Sequence, residues 1–217
     1  MADRRRGVLV PVTPAVQGPC AAEEDVCSFG ALVTPRAPGW LGTLRAFRID
    51  AMTANYEQAF EQRPAAYKAW QQLNGAIKAQ MDLRRYELVT LAAARRLRSS
   101  YCCLAHGMVL AERFGEPVAR IALDHRDADL SEVDVAVMDL AEQVVGDATS
   151  VSEADLQRLR DLGLSQEEVM DVILAAAARC FFSKTLDALG VRPDPVYREM
   201  EPGLREALVV GRPIAES

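Results

Sequence analysis

The chain of 217 residues has no run of eighteen uncharged apolar residues, no surplus of positive charge and no even set of cysteines. Each absence removes a class of function. A membrane-spanning helix needs about twenty consecutive apolar residues, so no transmembrane segment is expected. With 25 Lys and Arg against 31 Asp and Glu, the formal net charge is -6. No basic field exists to hold a nucleic-acid backbone or an anionic membrane surface, and neither is an expected partner. Five cysteines at irregular spacing do not make the framework of a disulfide-stapled secreted scaffold. The triplet Arg4, Arg5, Arg6 precedes only a short apolar run from Val8 to Val12, broken by Pro11, which is too short for a secretory signal. Free thiols in a reducing, cytoplasmic setting are the expectation. Alternation of period two, internal repeats and low-complexity tracts are also missing, which leaves helices as the expected architecture.

Helical punctuation is abundant from Leu41 onward. Residues 1–40 hold Pro11, Pro14, Pro19, Pro35 and Pro38 without a sustained period and read as an irregular arm. Residues 41–200 read as one helical domain and 201–217 as a C-terminal tail. Thr43 to Phe60 and Pro64 to Met81 carry apolar residues at spacings of three and four, and Pro64 sits where a helix starts. Leu83 to Leu97 and Tyr101 to Phe114 follow, the latter stopping at Gly115. Ser131 with Asp134, Ser152 with Asp155, and Ser165 with Glu168 are capping signals, with ends at Gly146, Gly163 and Gly190. Val169 to Leu189 is apolar nearly all round and is expected as the central buried helix. Trp70, Met108 and Met170 are expected in the core, as is Cys180; His125 receives no role.

Chemistry concentrates near Ser99. Residues 99, 102 and 106 differ by three and four, so Ser99, Cys102 and His106 share one helix face. A thiol in the first helical turn lies near unsatisfied backbone N–H groups, which favour the thiolate. An imidazole one turn later is placed to exchange its proton. Glu87 lies on the apolar stripe of Leu83, Leu91 and Ala94, where a carboxylate needs a partner. His106 is one such partner, and Arg84 on a solvated face is the other. The order of acid, imidazole and sulfur is that of a relay serving a nucleophile; a buried packing cysteine beside a hydrogen-bonded core histidine is the alternative. Zinc bound by Cys102, Cys103 and His106 is not expected, since adjacent cysteines point to different sides of a helix. No cofactor is expected.

The stretch ELVTLAAARRLRSSYCCLAHGMVLAERFG, Glu87 to Gly115, resembles the alkylhydroperoxidase D-like and carboxymuconolactone decarboxylase family. Its peroxidase branch places Glu, eleven residues, Cys, two residues, Cys, three residues, His. Glu87, Cys102 and His106 match the glutamate, second cysteine and histidine, and Tyr101 matches a tyrosine frequent before that cysteine. EQRPAAYKAW resembles the upstream helix of the family, and the region from Ser152 to Val191 its downstream helices. The resemblance implies an all-α bundle, assembled as trimers or hexamers, in which Cys102 reduces a hydroperoxide with a Glu87–His106 proton relay. Ser99, Tyr101 and Cys103 flank it as candidate binding residues. The departure is Ser99, which stands where the family has its first cysteine and cannot close a disulfide. Cys103 is no substitute, because consecutive Cα atoms are ~3.8 Å apart and ordinary disulfides need ~4.4 Å or more. Ser99 is expected instead to cap the helix or hydrogen-bond the thiolate. Reduction is then expected from an external thiol or from Cys20 or Cys27 of the arm. Decarboxylation of a lactone acid, as in the other branch of the family, and a non-catalytic oligomeric redox sensor are the two alternatives.

Overall fold

The computed structural model describes residues 53–216. The expected arm, with Cys20, Cys27 and the start of the Thr43 to Phe60 segment, lies outside the described residues. All regular secondary structure among the described residues is helical. The helices are α1 (Asn55–Phe60), α2 (Pro64–Gln80), α3 (Leu83–Arg96), α4 (Ser100–Phe114), α5 (Val118–Leu123), α6 (Glu132–Asp147), α7 (Glu153–Asp161), α8 (Gln166–Ala188) and α9 (Pro202–Leu208). Short 3-10 turns lie at His125–Asp127, Ala148–Ser150 and Pro195–Glu199.

Local chemistry sets most of these boundaries. Asp82 and Ser131 accept hydrogen bonds from the backbone N–H groups of Arg85 and Asp134 and so cap α3 and α6. Ser152 and Ser165 form full capping boxes with Asp155 and Glu168 at the starts of α7 and α8. Gly115 ends α4 in the left-handed region at φ 67°, which strains any side chain with a Cβ. Gly146, by contrast, does not end its helix, since α6 continues to Asp147.

The central helix is α3, not α8. Residues Tyr86 through Ala94 are all buried, and α3 packs on α4, α6 and α8. Arg84, Arg85, Arg95 and Arg96 at its two ends dilute its apolar signal, so the sequence gives α8 the stronger claim. The long helix α8 buries Val172, Ala176, Arg179, Phe182 and Ser183 but leaves Met170, Leu174 and Phe181 between 40% and 49% exposed. Met170 is therefore not a core residue, and Cys180 is only half-buried.

Within the stretch 201–217, expected as a tail, Pro202–Leu208 form a packed helix. The carboxylate of Glu201 accepts from the N–H groups of Gly203 and Leu204 and starts α9, which packs on α4 and α5. Leu208 is fully buried, and a Cβ at Gly107 of α4 would come within 2.6 Å of it. Glycine there lets the two helices approach; a helix of seven residues is too short to show a periodic signal.

Candidate active site

The corner between α3 and α4 places the thiol. Arg98 takes the left-handed conformation at φ 59°, Ser99 follows as the N-cap, and Cys102 is the third residue of α4. Cys102 and His106, one turn apart, are each 2% exposed. From α3, Glu87 meets His106, with Oε2 2.6 Å from Nδ1, and its other oxygen Oε1 lies 3.3 Å from Nζ of Lys78 on α2. A carboxylate only accepts, so Nδ1 carries the hydrogen and Nε2 the ring lone pair. Burial drives the imidazole away from its charged form; Glu87 opposes this and Arg179 and Lys78 reinforce it, leaving His106 below its ordinary value. For Glu87 burial acts upward, but His106 and Lys78 outweigh it and hold the carboxyl low. At neutral pH the pair is carboxylate and neutral imidazole. Glu87 does not pair with Arg84, which reaches Glu116 and Asp134 instead.

Two side chains of α8, one turn apart, contact the sulfur. The Ser183 hydroxyl donates to Sγ of Cys102 at 3.1 Å, and Nη1 of Arg179 lies 3.9 Å away. Arg179 is 1% exposed. Its Nη2 donates to Oδ1 of Asn74 at 3.3 Å and to the Tyr86 hydroxyl at 3.2 Å, and Tyr86 donates to the same Asn74 oxygen at 2.8 Å. Burial works against the guanidinium charge, yet Tyr86, the Cys102 sulfur and Glu87 carry Arg179 above its usual range, so it stays charged. The guanidinium also faces the rings of Trp70 and Phe182, at 5.8 and 5.6 Å from their centroids. Trp70 stacks on Phe182 at 4.1 Å, and Tyr56, Phe60 and Tyr67 extend this aromatic cover. Nε of Arg179 and Nε1 of Trp70 are buried with no hydrogen-bond partner among the described residues.

The flanking candidates fall elsewhere. Ser99 is fully buried, but its hydroxyl neither caps α4 nor bonds the sulfur. It acts on Asp187, whose carboxyl burial pushes up and Ser99 draws partly back. The expectation of a cap or a thiolate bond from Ser99 is thus corrected: Ser183, not Ser99, supplies the hydroxyl at the sulfur. Tyr101 sends its hydroxyl to Asp194, and burial followed by that bond pushes the phenol upward. Cys103 is fully buried, and burial followed by the adjacent Cys102 raises its thiol far above the usual range. Among the described residues Cys102, Cys103 and His106 do not converge as metal ligands. His125, Asp139 and Glu142 do approach one another, but Arg126 and Arg158 already pair with those carboxylates.

Arg179 and Ser183 were not singled out by spacing. The signal was present: between Asp171 and Lys184, Arg179 is the only charged residue in an otherwise apolar run. A charge in such a run is either exposed or held by a specific partner.

No protein-family model matches the sequence, and no curated protein matches it significantly. Solved structures share the fold. The alkylhydroperoxidase AhpD core of an uncharacterized peroxidase-related protein from Ralstonia eutropha JMP134 superposes with TM-score 0.63 at 22% identity, covering 67% of this chain and 80% of that one. An uncharacterized peroxidase-related protein from Silicibacter sp. TM1040 gives TM-score 0.63 at 19% identity, over 68% of this chain and 80% of its own. The debrominase Bmp8, solved as a cysteine-to-alanine variant with 2,3,4-tribromopyrrole, gives 0.61 at 14% identity, over 72% and 83%. The described chain thus has the helical alkylhydroperoxidase-core fold.

Proposed function

We propose that this chain is a member of the alkylhydroperoxidase D-like and carboxymuconolactone decarboxylase family that works as a thiol-dependent, peroxidase-like oxidoreductase with Cys102 as its nucleophile. The contact set of the Cys102 sulfur carries this reading. Arg179 is a dry cation whose other hydrogen-bonding partners, Asn74 and Tyr86, are neutral. A lone buried charge is costly, and among the described residues it touches, the sulfur is the one able to balance it, as a thiolate. His106 takes the thiol proton at Nε2. The thiolate attacks the outer oxygen of a hydroperoxide, the O–O bond breaks, an S–O bond forms, and His106 returns the proton to the departing alkoxide. The products are an alcohol and a Cys102 sulfenic acid. An external thiol then displaces water to form a mixed disulfide, and a second thiol releases Cys102. The buried donors of Arg179 and Trp70 are suited to the oxygens of the bound peroxide.

Trapping by a sulfenic-acid reagent after brief peroxide exposure, read by mass spectrometry, tests the reading. Modification at Cys102, with thiol-dependent peroxide consumption lost in Cys102→Ser, is the expected outcome. Absence of both with alkyl and aromatic hydroperoxides and several thiol donors overturns it. A second reading, thiol-dependent dehalogenation of a flat haloaromatic, is favoured by the aromatic rings beside Arg179; loss of halide from a bromopyrrole that requires Cys102 would establish it over peroxide reduction. The exposed apolar residues Met170, Leu174 and Phe181 of α8 support assembly as a homo-oligomer.

A further inference from the structure

We propose that Lys78 is a positioning residue of the buried relay, balancing the Glu87 carboxylate so that His106 stays neutral and presents Nε2 as a base. The inference rests on the reading of Cys102, His106 and Glu87 as the reacting centre. Lys78 lies in the last turn of α2. Its ammonium sits 3.3 Å from Oε1 of Glu87 and 5.0 Å from the centroid of the Tyr86 ring. Its side chain is 32% exposed, whereas those of Glu87 and His106 are each 2% exposed. Lys78 is thus the member of the relay that meets solvent.

The need for it follows from the chemistry of the pair. A dry carboxylate whose other partner is an imidazole has two ways to lose its charge penalty. It takes up a proton itself, or it draws one onto the ring and forms an imidazolium pair. Either result spoils the base: a protonated carboxyl no longer orients Nδ1–H, and an imidazolium has no lone pair on Nε2. A cation beside Oε1 works against both. The charged and titratable groups acting on or packed against His106 are Glu87 and Tyr86 from α3, Lys78 from α2 and Arg179 from α8. Glu87 favours the imidazolium, and Arg179 and Lys78 oppose it. Arg179 is committed to the sulfur, Asn74 and Tyr86, which leaves Lys78 to balance Glu87 directly.

The full chain has two histidines, so imidazole nitrogen and carbon-bound proton resonances can be followed separately against pH. In Lys78→Met the His106 midpoint moves to higher pH and its Nε2 signal changes from lone-pair to protonated character, while His125 keeps its profile. Lys78→Arg restores the original His106 behaviour. A folded Lys78→Met protein with an unchanged His106 titration overturns the proposal, and Lys78→Gln makes the same test should the methionine variant not fold. If His106 responds as expected but no form of the protein oxidises Cys102 with peroxide, the role of Lys78 stands and the peroxidase reading fails.

Discussion

The two histidines of this protein make the same bond in different surroundings. His106 meets Glu87 at 2.6 Å with both side chains 2% exposed, and His125 meets Asp139 at 3.0 Å with the carboxylate side 25% exposed. Around His125 the carboxylates are shared with Arg126 and Arg158, whose side chains are more than half exposed. Such a network exchanges readily with water and contributes little net stability. Around His106 the cations are Lys78, which meets Glu87, and Arg179, which is without solvent and contacts the Cys102 thiol. Desolvation makes each partner at the inner site decisive, because removing one leaves an uncompensated charge. A histidine–carboxylate pair is therefore not itself a sign of chemistry; a dry cation and a nucleophile beside it are.

Neutralising the arginine at each site breaks the comparison most strongly. Arg179→Met should slow oxidation or alkylation of Cys102 by about 100-fold, the scale on which one buried electrostatic donor matters. Its cost in stability should stay within ~2 kcal/mol, because an apolar side chain of similar length fills the space and removes a desolvated charge. Arg126→Met should change neither the thiol rate nor the urea midpoint measurably. Equal effects at the two sites would show that the inner guanidinium serves packing alone.

Acid titration of stability sharpens the contrast further. Burial first holds His106 below the ordinary 6.5, and its partners outweigh burial to hold Glu87 below 4.5. With both depressed in the folded state, the unfolded chain takes up protons first as pH falls. Stability is thus full above about pH 6.5 and declines below it, with a second loss below about pH 4.5 as the unfolded glutamate protonates. Urea midpoints in His106→Asn should show a shallower decline between pH 6.5 and 5 than the parent protein. Identical slopes would mean that His106 is not held neutral by burial.

The smallest effect concerns two of the serines expected as helix caps, Ser165 and Ser99. Ser165→Ala removes the hydroxyl that accepts from the Glu168 N–H, the side-chain half of the box at the head of α8, and should cost ~1 kcal/mol. Ser99→Ala removes no cap and should cost less than ~0.5 kcal/mol. Thermal melts of the two variants compare them directly, and a larger loss at Ser99 would restore it as a structural contributor to the thiol centre.

Much of the helical order was legible because its causes are local. Ser152 and Ser165 cap within three residues, Pro64 opens α2 and Gly115 closes α4, so each boundary is written in adjacent positions. The short α5 and α9 escaped because six or seven residues carry no full period. The approach of Glu87 to His106 was foreseeable from a carboxylate on an apolar stripe, yet that stripe equally allowed a pairing with Arg84.

By itself the sequence determined the all-helical architecture of the described residues, the position of Cys102 in the first turn of α4 and its face shared with His106. Only the tertiary structure decided what surrounds the sulfur. Ser183 and Arg179 lie 81 and 77 residues from Cys102, and they reach it because α8 packs on the same central helix, α3, that carries Glu87. The physical reason is range: capping and periodicity act within a turn or two, whereas the neighbour of a buried charge is chosen by how whole helices pack, and no local pattern encodes that choice.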